Sequence, residues 1–394
     1  MIVKPKVRGF ICTTAHPSGC KKNIENQIAY TKSKGEFNGP KKVLVIGSST
    51  GYGLASRISL AFGAKADTLG IMFEKNATEK RTATPGFYNT KAFEEVAAKD
   101  GLYAKTINGD AFSKEIKDKT IEMIKSDLGK VDCVIYSLAA PRRTMADGTI
   151  YSSVLKTVGE AFTEKNLDLR TNQITTATIE PATDEEVEAT VKVMGGEDWI
   201  DWIDALSLAG VLEDNAITVA YSYIGPKLTY PVYCHGTIGK AKEHLYTSSL
   251  KINDKYKGKL KAYVSVNKAV VTQSSAAIPI VPLYLSLLFK VMKEKGLHED
   301  CIKQMYRLVH DRLCCKEIPT DQNRLIRVDD YEMKPEVQEA VAKLWDKVSK
   351  DNIKEIADLD GYWDEFYEIF GFGIDGVDYD ADVAIQIPIP SLDE

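Results

Sequence analysis

The sequence predicts an α/β fold, a doubly wound parallel sheet with helices on both faces. Three observations carry this. Short apolar runs alternate with amphipathic helical stretches from residue 42 onward, the pattern of successive β-α-β units. The first run leads into VLVIGSSTGYGLASR, which sets Gly47, Gly51 and Gly53 between a strand and a helix. An acid, Glu74, follows the second run about 20 residues further on, the separation at which dinucleotide-binding folds place a carboxylate on a ribose.

The elements follow in order. KVLVIG (42–47) is a short buried strand, and LASRISLAFG is the helix after it. TLGIMF (68–73) is the second strand; a polar loop with Pro85 and Gly86 separates it from a helix near 90–99. LYAKTI (102–107) precedes a helix over roughly 113–128, and VDCVIYSLA (131–139) is the fourth strand. AITVAYSY (216–223) and KAYVSVNKAVVT (261–272) are later strands.

Residues 141–210 interrupt the alternation after the fourth strand, with a capping box at Thr183 and Glu186 ahead of a helix. Insertions at the C-terminal ends of strands are where such sheets build substrate pockets. AAIPIVPLYLSLLF (276–289) is too short and too broken by proline to span a bilayer, and reads as a loop followed by a buried helix. The final stretch, GFGIDGVDYDADVAIQIPIPSLDE, carries six acids and no base and is expected to be appended and solvated. With no repeat and no low-complexity linker, residues 1–394 are expected to form one compact unit. It would comprise a Rossmann-type core over about 40–320, a pocket insertion over about 141–210 and a C-terminal segment over about 330–394.

At 44% hydrophobic and 27% charged residues the 394-residue chain has the composition of a soluble globular protein. A net charge of −5, without a basic tract, argues against nucleic-acid and membrane partners. Seven cysteines at irregular spacings make no disulfide framework, so a reducing cytoplasm is expected. MIVKPKVRGFICTTAHPSG lacks the apolar core of a signal peptide. No exposed apolar seam is visible, and a monomer is expected.

Glycines at a strand-to-helix turn let the backbone approach a pyrophosphate, and the helix N-terminus offers it unpaired N–H groups. Ser48, Ser49 and Thr50 add hydroxyl donors. Glu74 would accept hydrogen bonds from ribose hydroxyls and repel a 2′-phosphate, so NAD(H) is expected over NADP(H), with Lys75 a partial offset. Asp110 and Ala111 follow the third strand, where an adenine edge would lie. Ala139 and Ala140 in SLAAPRR suit close approach by a ligand. The plainer alternatives are turn glycines, a solvated loop acid and small residues that merely pack.

YSYIGPKLTYPVYCHGTIGKAKEHL (221–245) poses a choice between tyrosine–lysine pairs. Reduction of an activated C=C bond needs a phenol at the developing enolate oxygen and an ammonium that binds the cofactor ribose and lowers the phenol's pKa. Gly225 and Pro226 break the helical face that Tyr223–Lys227 would need. In TIGKAKEHLYTSS, stepping about 100° per residue from Ile238 puts Lys242 about 40° away, with Ala241, Leu245 and Ser249 on the same face. Lys240 falls about 200° away, among exposed positions. Tyr233 and Lys242 are therefore the pair chosen.

The runs YSYIGPKLTYPVYCHGTIGKAK, VLVIGSSTGYG, GDAFS, SLAAPRR and VTQSSAAIPIVPLYLSLLFKVMKEKG together resemble the FabV/trans-2-enoyl-CoA reductase family, from MIVKPKVRGFICTTAHPSGC almost to the C-terminus. The resemblance implies an NADH-dependent reductase of trans-2-enoyl thioesters, an enlarged relative of the short-chain dehydrogenases. Its Tyr-x8-Lys pair falls on Tyr233 and Lys242, and its substrate tyrosine on Tyr223. Its cofactor contacts fall on Gly47, Ser48, Ser49, Thr50, Gly51 and Tyr52, on Phe73 with Glu74, Asp110 with Ala111, Leu138 with Ala139, and on Val270, Val271 and Thr272. Tyr-Cys-His (233–235) stands where carrier-protein-linked members are expected to read Tyr-Trp-Asn, which would reshape the acyl pocket. The leading expectation is reduction of enoyl-CoA, crotonyl-CoA to butyryl-CoA for example. Enoyl reduction on acyl carrier protein is the alternative, and a non-catalytic NAD-binding protein the rival of another class. No flavin site is evident.

Other candidates read more plainly. Cys12, His16 and Cys20 give three soft ligands without a fourth, so a structural role is favoured over a metal. Cys314–Cys315 reads as packing, and His235 and His244 as neighbours of the pocket. Arg142 and Arg143 are equally consistent with coenzyme A phosphates and a solvated loop. Trp199 and Trp202, at i and i+3, read as helix core or a pocket lid.

Overall fold

The computed structural model describes residues 1–392. Its centre is a seven-stranded sheet of β1 (Lys42–Ile46), β2 (Asp67–Met72), β3 (Ala104–Asn108), β4 (Val131–Tyr136), β5 (Leu212–Ser222), β6 (Leu260–Val266) and β7 (Leu325–Arg327). Every pairing is parallel, in the order β3-β2-β1-β4-β5-β6-β7. The order reverses between β1 and β4, and a doubly wound sheet opens a ligand crevice at such a reversal.

Alternation along β1 shows why the sheet is covered on both faces. Val43 and Val45 pack with Ile24 and Ile28 of α1 (Pro17–Ser33) and with Leu54 and Ile58 of α2 (Gly51–Ile58). Leu44 and Ile46 pack on the opposite side with the cluster that holds Ile116 of α3 (Lys114–Met123), Trp199 and Trp202 of α4 (Glu197–Leu208) and Leu245 of α5 (Thr237–Lys255). Period-2 strands sandwiched this way read as unbroken apolar runs.

A further apolar cluster lies around α6 (Val281–Glu294), which is buried along nearly its whole length and starts with Pro282 in its first turn. Against it pack α7 (Pro335–Lys347), α8 (Leu359–Glu368) and the antiparallel hairpin Phe162–Asp168/Gln173–Ile179. The hairpin and a smaller one, Arg142–Thr144/Ile150–Ser152, fill the insertion, together with a helix over Asp184–Met194. The capping box on that helix is formed by Thr183 and Glu186, as expected. The end of the 141–210 region is less of an insertion than expected: α4 is the crossover helix between β4 and β5, and both its tryptophans are fully buried.

The C-terminal stretch differs from the expectation of a solvated appendage. Phe372, Ile374, Ile385 and Ile389 are buried. Ser391 accepts the Thr106 N–H at 3.0 Å on the edge strand β3, and its hydroxyl donates to Glu94 at 2.7 Å. Apolar residues spaced among prolines show neither a helical nor a strand period, which hid their burial. Helix α1 and the three-residue strand β7 were not anticipated either. Among the described residues no helix is long and apolar enough to cross a membrane.

Candidate active site

A cavity of about 630 Å³ opens at the C-terminal ends of the central strands. Its wall takes in Gly47, Ser49, Thr50, Gly51 and Tyr52, then Phe73 and Glu74, Asp110 and Ala111, Leu138 and Ala139, and finally Tyr223, Lys242 and Val270–Thr272. These residues come from seven separate segments of the chain, and the sheet brings them to one crevice. Two residues expected there are not on this wall, Ser48 and Tyr233.

The glycine turn is closed so tightly that side chains are excluded. Gly47 has φ +85°, and a Cβ there would lie 2.3 Å from the carbonyl oxygen of Ser137, across the β1–β4 reversal. A Cβ on Gly53 would meet the Gly47 oxygen at 1.9 Å. The turn thus stacks β1, α2 and β4 at backbone distance and leaves the start of α2 bare to the cavity. Ser48 corrects the expectation of a hydroxyl donor: it is fully buried, and its Oγ donates to the Ile71 oxygen at 3.1 Å. Its neighbour Ser49 donates to Glu74 Oε1 at 2.6 Å. Burial raises the Glu74 pKa and the Ser49 bond acts against that rise. Asn108 fixes the loop by accepting the Glu74 N–H at 2.9 Å and donating to its carbonyl at 3.0 Å. Phe73 stands 78% exposed beside it, an apolar ring at the rim.

At the far end, α5 buries Ile238, Ala241, Leu245 and Ser249, the face worked out from helical phase. Lys242 lies on the cavity wall and its Nζ donates to the Tyr221 carbonyl at 3.0 Å. Lys240 is a surface residue paired with Glu243 at 3.0 Å. Burial lowers the Lys242 pKa to about 8. Lys227 is exposed and Gly225 has φ +74°, so no helical face joins Tyr223 to it.

Tyr233 ends the short helical turn Tyr230–Tyr233 and sits one layer behind Tyr223, ring centroids 4.6 Å apart at 78°. Its pKa is raised by burial and then by the negative charge of Glu332. The expected lowering by Lys242 is therefore not found in this arrangement, because the charge that reaches the phenol is an anion. Tyr223 donates to Glu332 Oε1 at 2.9 Å. Sequence reasoning missed Glu332 altogether. It lies in a loop far along the chain, and only its burial with three hydrogen-bond donors distinguishes it.

Arg143 corrects another reading. It is neither a phosphate ligand nor a solvated loop residue: it is 5% exposed, pairs with Glu197 at 2.7 Å and Asp201 at 3.1 Å, and donates to the Lys192 oxygen. Arg142 is exposed. His16 caps α1 by accepting the Gly19 N–H at 3.1 Å, and Cys20 packs in the interior. His244 accepts the Gly196 N–H at 3.1 Å, while His235 is exposed.

The comparisons with known proteins agree with this geometry. A family model described as the trans-2-enoyl-CoA reductase catalytic region matches residues 81–314. The NAD(P)H binding domain of trans-2-enoyl-CoA reductase matches 2–79, so the cavity draws on both matched regions. A model described as an enoyl reductase FAD binding domain matches 320–383. That segment gives the cavity only Glu365, Glu368 and Ile369, and two carboxylates on a wall do not suit a flavin diphosphate. Its apolar side chains Val337, Val341, Trp345 and Phe366 are buried in the α6 cluster. The residues present do not fit a flavin.

The chain is 56% identical over 396 residues to a trans-2-enoyl-CoA reductase [NADH] of Ruminiclostridium cellulolyticum, covering all of both chains. It is 58% identical over 395 residues to an enoyl-[acyl-carrier-protein] reductase [NADH] of Cytophaga hutchinsonii, again in full. The crystal structure of Treponema denticola trans-2-enoyl-CoA reductase in complex with NAD superposes with a TM-score of 0.94 at 51% identity, over 97% of this chain and 98% of that one. With full-length relatives at this identity, a glycine turn at the sheet reversal and a tyrosine–lysine end to the same cavity, the chain belongs to the trans-2-enoyl-CoA reductase family.

Proposed function

We propose that this protein reduces the C2=C3 bond of trans-2-enoyl-CoA thioesters with NADH, crotonyl-CoA to butyryl-CoA being a representative reaction. The observation that carries it is one continuous cavity, with the side-chain-free Gly47–Gly53 turn at one end and Tyr223 and Lys242 at the other. NADH supplies the hydride when bound. In this reading the bare turn and the start of α2 receive the pyrophosphate. Glu74, oriented by Ser49, takes the adenosine ribose and disfavours a 2′-phosphate. Asp110 with Ala111 would hold the adenine end, and Leu138 with Ala139 the nicotinamide ribose. Tyr52, whose hydroxyl donates to the Lys268 carbonyl, and Val270–Thr272 close the cofactor side.

Lys242, whose Nζ donates to the Tyr221 carbonyl, would hold the ribose. Tyr233, packed against Tyr223 behind the cavity wall, would turn towards the enolate oxygen to stabilise it or give it a proton; its phenol makes no hydrogen bond among the described residues and keeps its proton because burial raises its pKa. Tyr223 positions the thioester. The apolar Met194 and Leu245 on the wall suit the acyl chain. A single-chain enzyme belongs to the same reading, and so does a cytoplasmic setting, which the seven unpaired cysteines support.

The test is NADH oxidation with crotonyl-CoA and with crotonyl-acyl carrier protein, for the wild type and Tyr233→Phe. Faster turnover of the coenzyme A ester supports the proposal, and preference for the carrier-protein ester moves the role to fatty-acid synthesis. Turnover of neither thioester sinks the enzyme reading. A fully active Tyr233→Phe protein sinks the role given to that tyrosine.

A further inference from the structure

The carboxylate of Glu332 is fully buried and reaches the site from a loop beyond β7. Oε1 accepts two hydroxyls, Tyr223 at 2.9 Å and Tyr284 at 2.6 Å, and Oε2 accepts the backbone N–H of Ala269 at 2.7 Å. The loop itself is held from behind, where Gln338 donates to the Glu332 carbonyl at 2.7 Å. A buried carboxylate satisfied on both oxygens is a rigid anchor, because turning it leaves a charge without donors.

Its three donors come from different parts of the chain, and only Tyr223 is itself on the cavity wall. Tyr223 lies on the substrate side, and Ala269 directly precedes Val270–Thr272 on the cofactor side. Tyr284 ties both to α6, the helix around which the third apolar cluster forms. A phenol has a single hydrogen, and that of Tyr223 is spent on Glu332. Toward the cavity Tyr223 therefore presents only lone pairs and its ring, and Tyr233 is left as the phenol with a free proton.

We propose that Glu332 is a positioning residue of the reaction. By holding Tyr223 and the Ala269–Thr272 loop at once, it sets the substrate and cofactor walls of the cavity in register and directs the two tyrosines to different tasks. This rests on the reading of Tyr223 as the thioester contact.

Glu332→Gln tests it. An amide has one oxygen, so it cannot accept from Ala269 and from the two hydroxyls together; one wall is released while the volume is kept. Kinetics with crotonyl-CoA and NADH are measured for Glu332→Gln, Tyr223→Phe and the double variant. The expected result is a KM for crotonyl-CoA raised roughly 10-fold by Glu332→Gln with a smaller change in kcat, and a double variant no worse than Tyr223→Phe alone. A residue needed only for folding would instead lower the yield of active protein and leave the KM of the folded fraction unchanged.

If Tyr223→Phe raises KM and Glu332→Gln does not, the proposal is overturned and the role of Tyr223 stands. If neither moves KM, both fall. Should Glu332→Gln fail to fold, Glu332→Asp keeps the charge and draws the oxygens back by about 1.5 Å. The same rise in KM is then expected, and a wild-type KM overturns the proposal.

Discussion

Tyr223 and Tyr233 meet edge to face, ring centroids 4.6 Å apart, and the same carboxylate acts on both. Glu332 accepts the hydrogen bond of the Tyr223 hydroxyl and raises the proton affinity of Tyr233 through its charge. Two phenols in contact thus differ in what they can give a substrate, and the difference is set by a residue in a remote loop.

The first prediction follows from that asymmetry. Tyr233→Phe is expected to lower kcat by ~100-fold, the usual scale for loss of a proton donor, with the NADH Kd unchanged. Tyr223→Phe is expected to act mainly on KM. Steady-state kinetics combined with fluorescence titration of NADH separates the two, and equal losses in kcat from both variants would contradict the division.

Lys242 makes pH the second test. Its pKa of about 8 in the folded protein lies below the ordinary lysine value of 10.5. Between these values the unfolded chain binds the extra proton, so stability gains from rising pH. The burial penalty is complete below pH 8 and gone above the unfolded pKa. In the cofactor-free protein, the urea midpoint of wild type relative to Lys242→Met should rise from pH 8 towards 10.5. NADH affinity should fall over the same rise, because the ammonium proposed to hold the ribose is lost; a pH-independent difference between the two proteins would count against this.

Gly53→Ala is expected to abolish measurable NADH binding and to destabilise the fold by ~1–3 kcal/mol. The added methyl would sit 1.9 Å from the Gly47 oxygen, a contact with backbone that cannot swing aside. Binding by calorimetry and a denaturant curve check both parts.

Arg143→Met separates structure from substrate recognition. It leaves Asp201 without its arginine while Glu197 keeps Lys192 at 2.8 Å, and because both carboxylates are partly exposed the expected loss is ~1–3 kcal/mol, below that of a fully buried pair. The KM for crotonyl-CoA should be unchanged. A selective rise in KM would restore Arg143 as a phosphate ligand.

What was legible in the sequence was what repeats. Short apolar runs located six of the seven strands, and the 3.6-residue period placed Lys242 on the inward face and Lys240 outside. Non-periodic contacts were hidden. Leu325–Arg327 is too short to carry a pattern, and the Tyr223–Glu332 bond joins residues 109 apart. Arg143 misled because a pair of arginines in a loop looks alike whether a carboxylate awaits it or not. Ser48 misled because its hydroxyl chose a backbone carbonyl over the turn's open side.

The clasp of Ser391 on β3 has a consequence for how the chain is made. Residues 42–108 leave the ribosome long before 389–391 exist, so the edge of the nucleotide-binding half is first exposed with Thr106 N–H unpaired. An open strand edge of this kind invites pairing with other chains. Vectorial synthesis therefore leaves a vulnerable interval that closes only when Ser391 arrives, and removing the 389–391 segment would make that interval permanent.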